Sequence, residues 1–404
     1  MRIFPILCVF LSVGAVHSYT FDQAAKKIKK HPKIEMLMSQ VKALEEEGAA
    51  KSSWGDPKFG ITARNFPKET LTDDQSPMTG VEYSLSQTIP LSSKYGNIER
   101  SYKNLVKSGL YDVVHQKREM LSLLWGFAIK KRQFTEDLRI IQENHNWLGD
   151  MLKVTKRLYA NGKVSQQAVL ELQIRNSELE AQISNKRHIL SHLEESLNYL
   201  AGDLPKTLQL KSVPWKKLEI ELGKESDSNE VELALKEKIK ASELSLKAQK
   251  LSYVPDVTLS VGYLKRDKDL EHGDFVSAGL SFSLPLSGQK YAQSDGAFAR
   301  KLKAQNELKD YHLKRKSQLK SLEHEIFKME DELKIINEKS LTFAESSREI
   351  TSKSYGLGSA SYIELTQAEI KLQNLKLRKS ALEGRLASKK VEYLLLRGDK
   401  LHEE

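Results

Sequence analysis

Val276 to Leu286 reads V-S-A-G-L-S-F-S-L-P-L, with apolar Val276, Ala278, Leu280, Phe282 and Leu284 alternating with small or polar Ser277, Gly279, Ser281 and Ser283. A period of two that stops at a proline is the signature of a β-strand with one apolar face. Val81 to Leu91 repeats the pattern as V-E-Y-S-L-S-Q-T-I-P-L, and Pro90 precedes Pro285 by 195 positions. The strand at Val81 is reached from an earlier alternating run, Phe59, Ile61 and Ala63, across a turn-rich loop from Pro67 to Thr79. The strand at Val276 is reached from Val257, Leu259, Val261 and Tyr263 across the charged loop Lys265 to Asp274. Each pair predicts a β-hairpin, one over 58–89 and one over 256–285.

Outside the hairpins the period becomes helical. From Lys94 to Leu158 no proline interrupts about 64 residues, which at 1.5 Å per residue make a rod of roughly 96 Å. Leu105, Leu110, Val113, Leu121, Leu124, Leu138 and Ile141 form a discontinuous apolar stripe among Glu and Lys, and such a stripe needs partner helices. The rod ends at Tyr159-Ala160-Asn161-Gly162-Lys163-Val164-Ser165, where Asn161 or Gly162 can take positive φ and Ser165 can cap a returning helix to Leu200. A second rod, Tyr291 to Ser354, ends at Tyr355-Gly356-Leu357-Gly358-Ser359-Ala360-Ser361 and returns to Leu396. Tyr355, Gly358 and Ser361 each follow their first-half counterparts by 196 positions, which makes the chain a duplication. Shorter helices are expected at Phe21 to Ser52, with a break at His31 imposed by Pro32, and at Asn229 to Ser252.

These readings divide the chain into a signal peptide (1–18), a first repeat (19–205) whose turn spans 159–165, a linker (206–228) around Pro214 and Trp215, and a second repeat (229–404) whose turn spans 355–361. Arg2, the apolar run Ile3 to Val16 and the small residue Ser18 have the layout of a secretory signal, with cleavage expected after Ser18. The single cysteine, Cys8, would leave with it, so the mature chain has no thiol chemistry. No other apolar stretch approaches the roughly 18 residues of a membrane-spanning helix. Charged residues make up 29% and aromatics 7%, with a mean hydropathy of −0.49, which suits long solvated helices better than a compact globe. The net charge of +10 is spread among 54 acids without a basic cluster interleaved with aromatics, so no nucleic-acid partner is expected.

The fold class is therefore mainly α with a small β part: a long coiled-coil-like helical bundle plus four β-strands, in duplicated halves. Four alternating strands of about 10 residues have the length of outer-membrane strands, but the smallest membrane barrel needs about 8. Strands that span a membrane must then be completed by other chains, and three copies give twelve strands.

The signal peptide, F-D-Q-A-A-x5-H-P from Phe21 to Pro32, the hairpins ending in S-x-x-I-P-L (Ser86 to Leu91) and S-x-x-L-P-L (Ser281 to Leu286), and the two Y-x-x-G-x-x-S turns resemble the TolC family of outer-membrane efflux proteins over essentially the whole mature chain. The resemblance implies a homotrimer with a twelve-stranded barrel in outer-membrane lipid and an α-helical tunnel through the periplasm. It also implies a periplasmic adaptor, or membrane fusion protein, and an inner-membrane transporter as partners, with no cofactor and no enzymatic activity. In the family the two turns form the tip on which the adaptor packs, here Tyr159, Gly162, Ser165, Tyr355, Gly358 and Ser361. A basic residue often precedes the serine in that family, whereas this chain has Val164 and Ala360. Acids three and six residues after the second serine ring the pore constriction in the family; here these positions are Glu364 and Gln367, with Glu171 a first-half candidate. Three copies of Glu364 around an axis would favour cations and raise one another's pKa.

Two further features are expected to be inert. His188 and His192 stand one helical turn apart without a third ligand, so a metal site is not expected. Arg397-Gly398-Asp399 reads as the end of the last helix. The competing function is a soluble periplasmic coiled-coil structural or adaptor protein, which high charge and the lack of a lipid anchor would suit.

Overall fold

The computed structural model describes residues 18–402 apart from 73, 75, 77, 203–206, 224–228, 268–272 and 287, so Cys8 and the expected signal peptide up to residue 17 lie outside the described residues. In chain order the elements are β1 (Ser18–Tyr19), α1 (Phe21–Ile28), α2 (Pro32–Ser52), β2 (Lys58–Arg64), β3 (Gly80–Ile89), α3 (Lys94–Ala160), α4 (Gln166–Ala201), β4 (Thr207–Leu208), α5 (Glu230–Leu251), β5 (Val257–Lys265), β6 (Phe275–Phe282), α6 (Gly288–Ile335), α7 (Leu341–Gly356) and α8 (Tyr362–Arg397). Short 3-10 turns at Leu210–Ser212 and Trp215–Leu218 break the segment after β4, and a π-turn at Ile336–Ser340 joins α6 to α7. The chain is mainly α with a small β part, as its periodicity predicts.

Local chemistry explains the boundaries. Thr20 caps α1 in a capping box: its hydroxyl accepts from the Gln23 amide at 3.3 Å while the Gln23 side chain accepts from the Thr20 amide at 2.9 Å. Pro32 opens α2, where its missing N–H costs nothing, and the His31 ring accepts from the Lys33 amide at 3.1 Å. The predicted strand at Val276 is shorter than its alternation suggests: β6 stops at Phe282, before Pro285, which has no N–H to give a ladder.

Two compact units divide the described residues. One comprises Met36–Val114 and Glu230–Leu313 and contains the sheet. Its strands run in the order β2-β3-β5-β6, all antiparallel, so the two hairpins are joined by the β3–β5 pair into one sheet with β2 and β6 at its edges. The register sorts the side chains by face. Phe59, Leu85, Val261 and Ala278 form one rung of one face, and Ile61, Tyr83, Tyr263 and Val276 the next. These apolar side chains are exposed, Ile61 at 64% and Val276 at 75%. On the opposite face Gly60, Ser84, Gly262 and Ser277 share a rung.

The other unit comprises the described part of Met1–Glu35, His115–Asn229 and Lys314–Glu404. Its centre is Trp125, 1% exposed, with the Phe21 ring at 5.1 Å and the Trp215 ring at 5.9 Å. The Trp125 indole donates to the Leu401 carbonyl at 3.1 Å, which fixes the end of the chain. Leu208, Val213 and Leu218 of the linker are buried here. β1 pairs in parallel with β4, bringing Tyr19 beside Leu208.

Candidate functional site: the paired helix turns

Both turns follow the same backbone course. Gly162 (φ +66°) and Gly358 (φ +80°) adopt the left-handed conformation, which a side chain would strain. After α3 the Lys163 amide donates back to the Leu158 carbonyl at 2.9 Å, and after α7 the Ser359 amide donates to the Ser354 carbonyl at 2.9 Å. Each loop thereby satisfies carbonyls that the ending helix leaves free. Ser165 and Ser361 then cap the returning helices through the amides of Ala168 (3.4 Å) and Glu364 (3.3 Å).

The two turns meet in one apolar cluster. Leu158, Tyr355 and Leu365 are buried together, with Trp147, Met151, Val164 and Ala360 packed around them. The tyrosines differ despite their identical motif: Tyr355 is 0% exposed and its hydroxyl lies 3.0 Å from that of Thr155, whereas Tyr159 is 46% exposed. Burial pushes the Tyr355 phenol above its ordinary pKa. Leu357 and Ile363 leave large apolar surfaces exposed beside the turns.

Glu364, Gln367 and Glu171 are all exposed. Glu364 completes a capping box: its carboxylate accepts from the Ser361 amide at 2.7 Å and from the Ser361 hydroxyl at 3.0 Å. These hydrogen bonds hold its pKa below the usual carboxylate range, opposite in direction to the mutual effect expected of a carboxylate ring.

A second group of polar side chains lies inside the bundle. Glu369 on α8 is 0% exposed, and one oxygen accepts from the Arg175 Nε of α4 at 3.3 Å. Arg175 also reaches Gln373 and, at 3.1 Å, Glu178, while Gln373 donates to Gln182 at 3.3 Å. Burial pushes the Glu369 carboxyl up, and Arg175 offsets part of that rise. Farther along, Asp137 accepts from Ser380 at 2.7 Å and from Lys186 at 2.7 Å. These contacts tie α3, α4 and α8 together by geometry that an apolar seam would not specify.

No protein-family description matches the chain, and no curated protein matches it in sequence. Solved structures do match. The outer-membrane protein VceC of Vibrio cholerae is 14% identical, with alignment over 95% of this chain and 97% of that one at a TM-score of 0.76. CusC, whose structures concern transmembrane channel formation, is 12% identical over 94% and 92% at 0.78. The CmeC outer-membrane channel of Campylobacter jejuni is 13% identical over 93% and 85% at 0.73. The chain has the TolC-type channel fold.

Within this TolC-type fold, the buried polar group is what motif reading overlooks. Its signal is phase: Glu369 falls four residues after Leu365 and three before Leu372, and Arg175 lies between Leu172 and Leu179, so both occupy the buried stripe of their helices. An acid and a base at interior positions of neighbouring helices are candidates for a pair. His188 and His192 are exposed, and no cluster of three metal-ligating side chains occurs among the described residues. Arg397-Gly398-Asp399 is the cap of α8: Gly398 takes φ +99°, and the Arg397 guanidinium stacks over Tyr393 at 5.2 Å.

Proposed function

We propose that the chain is the outer-membrane exit duct of a tripartite efflux or type I secretion system, assembled as a homotrimer. The observation that carries this is the sheet. It presents an exposed apolar face and a glycine- and hydroxyl-rich face along strands of 7 to 10 residues, and its edges β2 and β6 have no partner among the described residues. A lipid-facing barrel wall has this alternation, and hydrocarbon tolerates it only when neighbouring copies pair the edges. No described helix is long and apolar enough to cross a membrane, so any membrane passage falls to the strands. The helices of three copies would form a periplasmic tunnel leading to the barrel.

The paired turns supply the docking surface in this reading. Exposed Tyr159, Leu357 and Ile363 beside the Gly162 and Gly358 loops would offer apolar surface to the helical hairpin of a periplasmic adaptor, which would couple the duct to an inner-membrane transporter. Glu364, Gln367 and Glu171 would line the constriction, and a duct of this kind does no bond chemistry, so no enzyme activity is proposed.

The experiment is extraction of membranes with mild detergent followed by measurement of oligomeric mass before and after heating. A detergent-dependent trimer that dissociates on heating is the expected result. A soluble monomer or dimer released by salt washing would overturn it and leave a periplasmic coiled-coil protein.

A further inference from the structure

The polar face of the sheet carries three charged residues within its strands: Lys58, Arg64 and Glu82. Arg64 and Glu82 form an ion pair and cancel. Arg266, just past β5 in the same phase, is held against the Gly273 carbonyl at 3.1 Å and over the Phe275 ring at 4.0 Å. Lys58 is different. It is exposed, it has no ion-pair partner among the described residues, and its rung is completed by Ser86, Ser260 and Gly279. Within the strands of this face Lys58 is therefore the one charge without an ion-pair partner among the described residues, set among hydroxyls and glycines, with the exposed carboxylate of Asp56 two positions before it and outside β2.

We infer that Lys58 is a selectivity-determining residue that gives the barrel bore a preference for anionic solutes. This rests on the duct reading, which makes the polar face the bore. In that reading β2 and β6 are joined between copies, so each Lys58 lies next to the β6 edge of its neighbour and three ammonium groups ring the bore. In a water-filled channel bounded by lipid their field is focused rather than dissipated, and it concentrates anions. The paired Arg64 and Glu82 add nothing net.

The test uses the full chain, purified as the oligomer and placed in lipid bilayers, where the mature sequence supplies a cysteine-free background. Single-cysteine reporters are made at I61C on the apolar face and at S281C on the polar face of β6. The I61C reporter should be shielded from a water-soluble thiol reagent and S281C should react. Within one chain Lys58 is three strands from Ser281, roughly 14 Å, beyond the reach of an exposed charge at physiological salt. Only closure between copies brings them together.

At S281C, an anionic thiol reagent should outpace a cationic reagent of the same size, once each is normalised to its rate on a free thiol. The K58Q substitution should bring that ratio towards unity and K58E should invert it, with a change of about tenfold between Lys58 and K58E. Current reversal under a potassium chloride gradient should shift the same way. Equal labelling of I61C and S281C would overturn the duct reading and this inference with it. Shielded I61C and reactive S281C with a ratio indifferent to K58Q and K58E would leave the duct standing and overturn the role of Lys58.

Discussion

The Tyr355 hydroxyl lies 3.0 Å from the Thr155 hydroxyl, both buried, and so joins the end of α7 to the last turns of α3. The Thr155 hydroxyl also reaches back to the Met151 carbonyl at 2.8 Å, so the tyrosine docks onto a group already fixed in its helix. Tyr159, at the matching position of the first turn, is exposed. Two copies of one motif thus play different parts: Tyr355 holds the turns together, and Tyr159 faces outward. Tyr355→Phe should cost about 1 kcal/mol, and Tyr355→Ala about 3–5 kcal/mol through the cavity it leaves. Tyr159→Ala should leave the thermal midpoint nearly unchanged while, in the proposed duct reading, weakening binding of the proposed adaptor. Thermal unfolding of the purified protein, with a pull-down against a candidate periplasmic adaptor, separates the two.

The acids Glu364 and Glu369, five residues apart, should respond to pH in opposite ways. Glu369 has a folded pKa raised by burial, so the folded chain holds its proton more tightly than the unfolded chain. Its contribution to stability is greatest below the unfolded value and is lost as pH rises through the raised one. Glu364 has a folded pKa lowered by its bonds to Ser361, so its contribution is present above the unfolded value and is lost as pH falls through the lowered one. Relative to wild type, Glu369→Gln should therefore flatten the decline in stability on the neutral side of the carboxylate range. Glu364→Gln should flatten the decline on its acid side. Thermal midpoints measured at intervals from acid to neutral pH test both, and matching slopes for the two variants would contradict the environments described.

Removing Arg175 should do more harm than removing its partner. Among the described residues, Arg175→Met leaves Glu369 enclosed without its only hydrogen-bonding cation, and one Glu369 oxygen already has no hydrogen-bond partner there. Loss of one member of a buried pair typically costs about 3–5 kcal/mol, whereas replacing both with apolar residues can be close to neutral. The double variant Arg175→Met with Glu369→Leu should accordingly unfold at a higher temperature than Arg175→Met alone.

What the sequence made legible was whatever is local. Alternation placed β2, β3 and β5 because a pleated backbone repeats every two residues, and Gly162, Gly358 and the following serines marked the turns because left-handed φ and capping need those residue types. Pro32 marked the break between α1 and α2 for the same reason. Long-range choices were hidden. Nothing near Val81 says that β3 will pair with β5 more than 160 residues later, since both edges of a strand offer the same backbone groups. The burial of Tyr355 and exposure of Tyr159 depend on which helix each meets, and their shared Y-x-x-G-x-x-S pattern carries no such information. Glu369 was open to detection through its helical phase, but a residue type that is usually solvated masks the stripe it occupies.

The π-turn follows from a one-residue difference between the halves. From Pro90 to Tyr159 is 69 positions and from Pro285 to Tyr355 is 70, while α3 is continuous and the matching rod contains the π-turn Ile336–Ser340. An extra residue in an α-helix rotates everything beyond it by about 100°, which would carry the apolar stripe off the core; a single wide turn absorbs the residue and restores the phase. Within that turn Ile336 is buried and Asn337 is exposed. Deleting Asn337 should therefore convert the π-turn to α-helix while Tyr355 and the turn keep their places, with a stability change within about 1 kcal/mol. Deleting Lys320 also removes one residue, but it rotates the intervening stretch that contains Leu322 and Ile326, both packed with Tyr393. Each displaced core residue should cost about 2–5 kcal/mol, so this variant should unfold far earlier. Thermal midpoints of the two deletion variants decide the matter: equal destabilisation would mean that the π-turn does not absorb the extra residue.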